Sequence, residues 1–243
     1  MSSDNCKRIC LWSGPRNIST ALMYSFAQRP DTLVFDEPLY GHYLKNTKAK
    51  EYHPGADEVL ASMETDGEKV IQMMMGNHSK EVVFFKNMCH HLLNLKTSFM
   101  RSVYNVILTR DPAEVIPSFA KEIENPSMID IGFEAQVNLL NLLQEMGADV
   151  LVIDSNTILK NPEQELRKLC KNTGIPFYNE MLSWEKGARP EDGIWAKYWY
   201  KNVHNSNGFQ PYVAKNVELE NRLIPLYDAS MFFYEKLIAS SKV

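Results

Sequence analysis

The sequence predicts an α/β fold: a single domain over residues 1–243, built on a central parallel sheet of about five strands with helices on both faces. Three observations point to it. Short apolar runs recur at residues 8–12, 32–36, 82–86, 104–109 and 150–154. They are continuous rather than alternating in hydropathy, which marks strands buried on both sides. Each is followed by a stretch with helical spacing, so the chain reads as repeated strand–helix–strand units, the connection that joins parallel neighbours. With 44% hydrophobic and 23% charged residues, 11 Gly and 12 Pro, the composition excludes disordered, collagenous and coiled-coil classes. A chain of this length hides about 70% of its unfolded surface and sustains a full core.

The elements follow in order. The first helix is expected over 19–28, where Ile18, Leu22 and Phe26 recur every fourth residue and Pro30 stops the run. Residues 56–75 hold one helix or two, interrupted at Gly67. A helix carrying Ser118 is expected over 112–121, and an amphipathic one over 133–145 through Val137, Leu140 and Leu143. Asn161-Pro162-Glu163 opens the next in the preferred order of cap, proline and acid, and Gly174 ends it. A last helix is expected over 217–237. Between 183 and 212 periodicity is weak but Trp, Tyr, Lys and Gly are frequent, the mark of an ordered functional loop or lid.

A net charge of −4 provides no general field for nucleic acid or anionic lipid, so neither is expected as a partner and any anion site must be built locally. The longest apolar runs are strand-sized, well short of a membrane span, and the first eight residues are polar with no apolar signal segment. A soluble cytoplasmic protein is the expectation. Cysteines at 6, 10, 89 and 170 read as free thiols. In Cys89-His90-His91, consecutive side chains cannot all converge on one ion, so no metal is expected.

The first turn is the informative place. Gly14-Pro15-Arg16-Asn17-Ile18-Ser19-Thr20 lies between an apolar strand and a helix, where backbone N–H groups and the helix dipole favour phosphate. Arg16 adds a forked cation, and Ser19 and Thr20 add hydroxyls. The G-x-x-x-x-G-K-[ST] pattern of nucleotide triphosphatases is absent. A second segment, Asn105 to Pro112, places Arg110 at the carboxyl end of a buried strand, on the rim where open α/β sheets bind ligands. There Arg110 could clamp a phosphate to which Ser118 also donates.

With both segments in view, the chain resembles the sulfotransferases that use 3′-phosphoadenosine 5′-phosphosulfate (PAPS), whose fold opens on a P-loop-like first turn. Pro15 to Thr20 is similar to the family's P-[KR]-S-G-[ST]-[ST] loop, departing from it at Asn17 and Ile18. Arg110, Pro112, Glu114 and Ser118 match the second signature, R-x-P-x-[DE]-x-x-x-S, in full. The resemblance implies that Gly14 to Thr20, led by Arg16, hold the 5′-phosphosulfate, while Arg110 and Ser118 hold the 3′-phosphate. It implies PAPS as co-substrate without a metal, and transfer of a sulfuryl group to a hydroxyl or amine of a small-molecule acceptor.

Lys86, at the end of its strand, stands where the family often has a lysine near the bridging oxygen. Glu37, in a Glu-Pro pair found in some branches, is the first choice of general base, aimed by the extended backbone that Pro38 favours. Asp36 could exchange roles with it, and His90 or His91 is the alternative. In the late segment, Lys186-Gly187 and Lys197 are candidate phosphate contacts and Trp195 a candidate adenine neighbour. Tyr40, His42, Tyr43, His53 and the methionines at 73–75 are candidate linings for an acceptor pocket. Two other readings stay open: a small-molecule kinase with a divergent loop, and a module that binds the bisphosphate nucleotide without catalysis.

Overall fold

The structure is a computed structural model that describes residues 6–213 and 219–241. In chain order its elements are β1 (Lys7–Ser13), α1 (Ser19–Ala27), β2 (Thr32–Asp36), α2 (Tyr40–Asn46), α3 (Ala56–Ser62), α4 (Gly67–Met75), β3 (Val82–Met88), β4 (Tyr104–Thr109), α5 (Pro112–Phe119), α6 (Met128–Ile131), α7 (Phe133–Glu145), β5 (Val150–Asp154), α8 (Ser155–Lys160), α9 (Pro162–Asn172), α10 (Ala196–Trp199), α11 (Lys201–His204) and α12 (Ile224–Ser240). The strands form one parallel sheet in the order β2-β3-β1-β4-β5. Alternate residues of the central strand serve opposite faces. Ile9 and Leu11 pack with α1, α8 and α9, whereas Cys10 and Trp12 pack with α4, α5, α7 and α12. Both faces are therefore apolar, the physical reason that the strands read as unbroken hydrophobic runs.

Several expectations change in detail. Residues 56–75 divide into α3 and α4, because Met63 turns extended and Asp66 caps the second helix by accepting from the N–H groups of Glu68 and Lys69. No α-helix follows β3. Residues 89–103 carry only 3₁₀ turns at Cys89–His91 and Ser98–Ser102, because Cys89, His90 and His91 turn inward against α2 and α7. Asn161 precedes α9 without making a side-chain cap, and Pro162 alone sets its start. The last helix begins at Ile224; residues 217 and 218 of the expected range lie outside the described residues. The late segment is ordered by a bridge between Ser183 and Gly208 and by two single-turn helices. No described helix is long and apolar enough to cross a membrane.

This topology positions the site. The chain leaves β1 towards β2 and β3 on one side, then returns to β4 on the other, so the carboxyl ends of β1 and β4 flank the point where strand order reverses. On the first side, Asp36 at the end of β2 is the register partner of Lys86, which lies within β3 rather than ending it, because pairing with β1 carries the strand on through Asn87 and Met88.

Candidate active site

The turn after β1 is held by its own side chains. Asn17 donates from Nδ2 to the Leu108 carbonyl (3.1 Å) and accepts from the Ser19 N–H (3.0 Å), tying the loop to β4 and to the start of α1. Arg16 takes a left-handed conformation (φ 56°). Ile18 sits at φ −90° and ψ 23°, open to any residue, so a side chain is accommodated where the resembled motif has glycine. Gly14 cannot be enlarged: a Cβ there would lie 2.6 Å from the Ile131 carbonyl oxygen.

Arg110 reaches this turn. Its Nη1 donates to the carbonyl of Arg16 (3.1 Å), while Nε and Nη2 clasp Glu114. Arg16 donates from Nε to the Ser118 hydroxyl (2.9 Å) and from Nη1 to the Trp199 carbonyl (3.4 Å). The structure thus brings Arg16, Arg110 and Ser118 together, across about a hundred residues of sequence. It pairs Ser118 with Arg16 rather than with Arg110. Gly14, Asn17, Thr109 and Arg110 are among the residues lining the crevice between the turn and the end of β4, which is closed too tightly to hold a water molecule.

A second cluster occupies the rim beyond β3. Lys86 is fully buried and donates from Nζ to Asp36 Oδ1 (2.8 Å), Glu37 Oε1 (2.5 Å) and the Tyr200 hydroxyl (2.7 Å). It does not snorkel to solvent. Burial alone would lower its pKa, but the two carboxylates outweigh that and leave it raised, so the ammonium stays charged. Burial pushes the Glu37 carboxyl up from its ordinary value, Lys86 pulls it back, and Asp36 raises it further.

The backbone at Glu37 is a correction. It is left-handed (φ 43°), not extended, because its N–H donates to the Lys86 carbonyl (2.7 Å) while its own carbonyl accepts from Tyr40 (2.9 Å) to start α2. Asp36 and Glu37 are not interchangeable. Asp36 also accepts from Tyr200 and from the Gly193 N–H (3.0 Å), whereas the side-chain donor to Glu37 is Lys86.

A family model described as a sulfotransferase domain matches residues 7–241. The chain belongs to this family. It is also 41% and 40% identical over 226 residues to branched-chain-amino-acid aminotransferase-like proteins 1 and 2 of Arabidopsis thaliana, covering 89% of this chain but only 40% of each relative. Among solved structures it is similar to the sulfotransferase domain of the curacin biosynthetic pathway (17% identity, TM-score 0.57, 96% of this chain and 97% of that one). It is similar as well to mouse sulfotransferase SULT7A1 complexed with PAP (12% identity, TM-score 0.53, 97% and 84%). At these identities the likeness is one of fold.

The remaining candidates of this sulfotransferase-family chain fall into place around the two clusters. His90 and His91 are buried, and burial pushes His90 down to about 3 and His91 well below its ordinary value. Their Nδ1 atoms have no hydrogen-bond partner. His90 borders the opening turn, since a Cβ built on Gly132 would meet both its Nδ1 (3.1 Å) and the Gly14 Cα (3.7 Å). His91 stacks on Tyr40 and Tyr43. His42 donates from Nε2 to the Leu93 carbonyl (2.9 Å), and His53 Nδ1 shares a hydrogen bond with the Tyr40 hydroxyl (2.9 Å).

Trp195 is buried, edge-on to Tyr40, and its N–H donates to Tyr200 (3.2 Å), so it packs on the Lys86 side of the rim. Lys197 is exposed and paired with Glu58. Lys186 is exposed, and the methionines at 73–75 lie on α4, with Met74 in the main core. Tyr200 is the residue that sequence reading misses. It follows no motif, and only the fold carries it to Asp36.

Proposed function

We propose that this chain is a sulfotransferase that moves a sulfuryl group from PAPS to a hydroxyl or amine of a small-molecule acceptor. The observation that carries this reading is the meeting of Arg16, Arg110 and Ser118 beside the opening turn. These two guanidiniums rest on two backbone carbonyls, a hydroxyl and the Glu114 carboxylate. A phosphate can take the place of each such partner, and fork-shaped cations suit it. The tight seat of Gly14 on Ile131, with no room for a side chain, fits a loop whose backbone closes on an anion. The mouse sulfotransferase of similar fold is complexed with PAP, which supports the same nucleotide for this chain.

When bound, PAPS supplies the sulfuryl group. The chain supplies charge and a proton acceptor. Gly14 to Thr20 with Arg16 would hold the 5′ end and steady the negative charge that gathers there, and Arg110 would hold the 3′-phosphate. Glu37 is the general base for the acceptor. Burial raises its carboxyl above the ordinary value, which strengthens it as a proton acceptor, and the Lys86 ammonium opposes that rise by favouring the carboxylate. Asp36 is fully engaged in holding Lys86 and Tyr200. His90, neutral and beside the opening turn, is the alternative base.

Calorimetry tests the nucleotide. PAP is expected to bind far more tightly than AMP, and Arg110→Ala to weaken PAP by about 10- to 100-fold, the worth of hydrogen bonds to a charged group. Equal affinity for PAP and AMP would overturn the reading. Glu37→Ala is expected to keep PAP affinity and to lose label transfer from ³⁵S-labelled PAPS to a panel of small alcohols, phenols and amines, by about 100-fold or more.

A further inference from the structure

The late segment touches both halves of the rim. Trp199 accepts from Arg16 through its carbonyl and stacks on Phe119 of α5 (5.8 Å between centroids). The next residue, Tyr200, is buried at the other half. Its hydroxyl donates to the Asp36 carboxylate, 2.8 Å from either oxygen. It accepts from Lys86 (2.7 Å) and from the Trp195 indole N–H (3.2 Å), and Thr20 of α1 faces it. A phenol oxygen has one proton to give and two lone pairs, so this one is fully used. Asp36 is saturated from the same segment, by Tyr200 and by the Gly193 N–H.

We propose that Tyr200 is a positioning residue: by occupying Asp36 it leaves the third arm of the Lys86 ammonium for Glu37, and through Trp199 it ties that arrangement to Arg16 in the opening turn. This rests on the proposed sulfuryl transfer, in which Glu37 is the base. Removing the phenol hydroxyl takes a donor from Asp36 and an acceptor from Lys86. Asp36, now short of a donor, draws the ammonium towards itself. Glu37 then loses the cation that opposes its burial.

The groups facing Glu37 from each packed element are Asp36 on β2, Lys86 on β3, Tyr40 on α2 and Tyr200 before α11, with His91 next to Lys86. Of these, Lys86 is the cation, so its displacement moves Glu37 in one direction. The carboxyl holds its proton to higher pH, and the fraction of ionised base at neutral pH falls.

Infrared titration of the protonated-carboxyl band, with Glu37→Gln as the subtraction reference, reads the Glu37 midpoint without any acceptor. In Tyr200→Phe the midpoint is expected to rise by about one pH unit. Trp195→Phe, which removes only the donor to the phenol, is expected to move it the same way by less. A merely structural Tyr200 would lower the unfolding midpoint and leave the Glu37 titration where it is in wild type, and that result overturns the proposal. Should Tyr200→Phe not fold, an unmoved midpoint in Trp195→Phe overturns it on the same criterion. PAP calorimetry on wild type separates the two levels: a failure to bind PAP removes the sulfotransferase reading, whereas PAP binding with an unmoved midpoint removes only the role of Tyr200.

Discussion

The two halves of the rim handle charge in opposite ways. Around β1 and β4, Arg16 and Arg110 are half-buried and rest on partners that another anion can replace. Around β2 and β3, Lys86 and Asp36 are sealed, and each polar contact is made within the protein. The contrast teaches what each half is suited to. A site that must accept a doubly charged group and release it again needs cations with exchangeable partners. A site that sets the protonation of one carboxyl needs a fixed cation at low dielectric, where position has the greatest effect on pKa.

The largest expected effect breaks the sealed half. Lys86→Ala leaves Asp36 and Glu37 buried without their cation and is expected to cost about 3–5 kcal/mol of stability in chemical denaturation. A loss below about 1 kcal/mol would mean that this half is wetter and more adaptable than its geometry shows.

A second test varies pH instead of sequence. His53 and His90 are pushed by burial from an ordinary 6.5 to about 4 and about 3. Between those values the unfolded chain binds protons that the folded chain does not. Their contribution is therefore whole above pH 6.5 and is lost as pH falls below it, by about 1.4 kcal/mol per pH unit for each histidine. Urea midpoints measured from pH 7.5 to 5 check this, and a flat profile would place these rings in contact with solvent. The smallest effect sharpens the exchangeable half. Ser118→Ala removes one hydroxyl next to Arg16 and is expected to weaken PAP by about 2- to 10-fold, with little change in stability.

Much of the architecture was legible from local chemistry. A strand between two helix layers must be apolar on both faces, so runs such as Val82-Val83-Phe84-Phe85 announce themselves, and β2, β4 and β5 fall where hydropathy puts them. The stretch after β3 did not obey the same rule, since inward-facing His90 and His91 obtain their burial from α2 and α7 rather than from a helical period of their own. Arg16, Arg110 and Ser118 were legible because motif spacing records a constraint on the local turn. The left-handed Glu37 was not, since its backbone is set by a bond from β3 that adjoins it only in the folded sheet.

By itself, then, the sequence determined the sheet, its parallel sense, the strand-to-helix turn at Gly14 to Thr20 and the charged residues available at strand ends, all of which follow from neighbours within a few residues. Tertiary structure alone decided the partners: that Ser118 meets Arg16, that Asp36 rather than Glu37 is saturated, and that Tyr200 lies between them. The physical reason is range. Hydropathy and turn chemistry act over one or two turns of chain, whereas a buried charge selects its partners by distance in space, across 164 residues in the case of Asp36 and Tyr200.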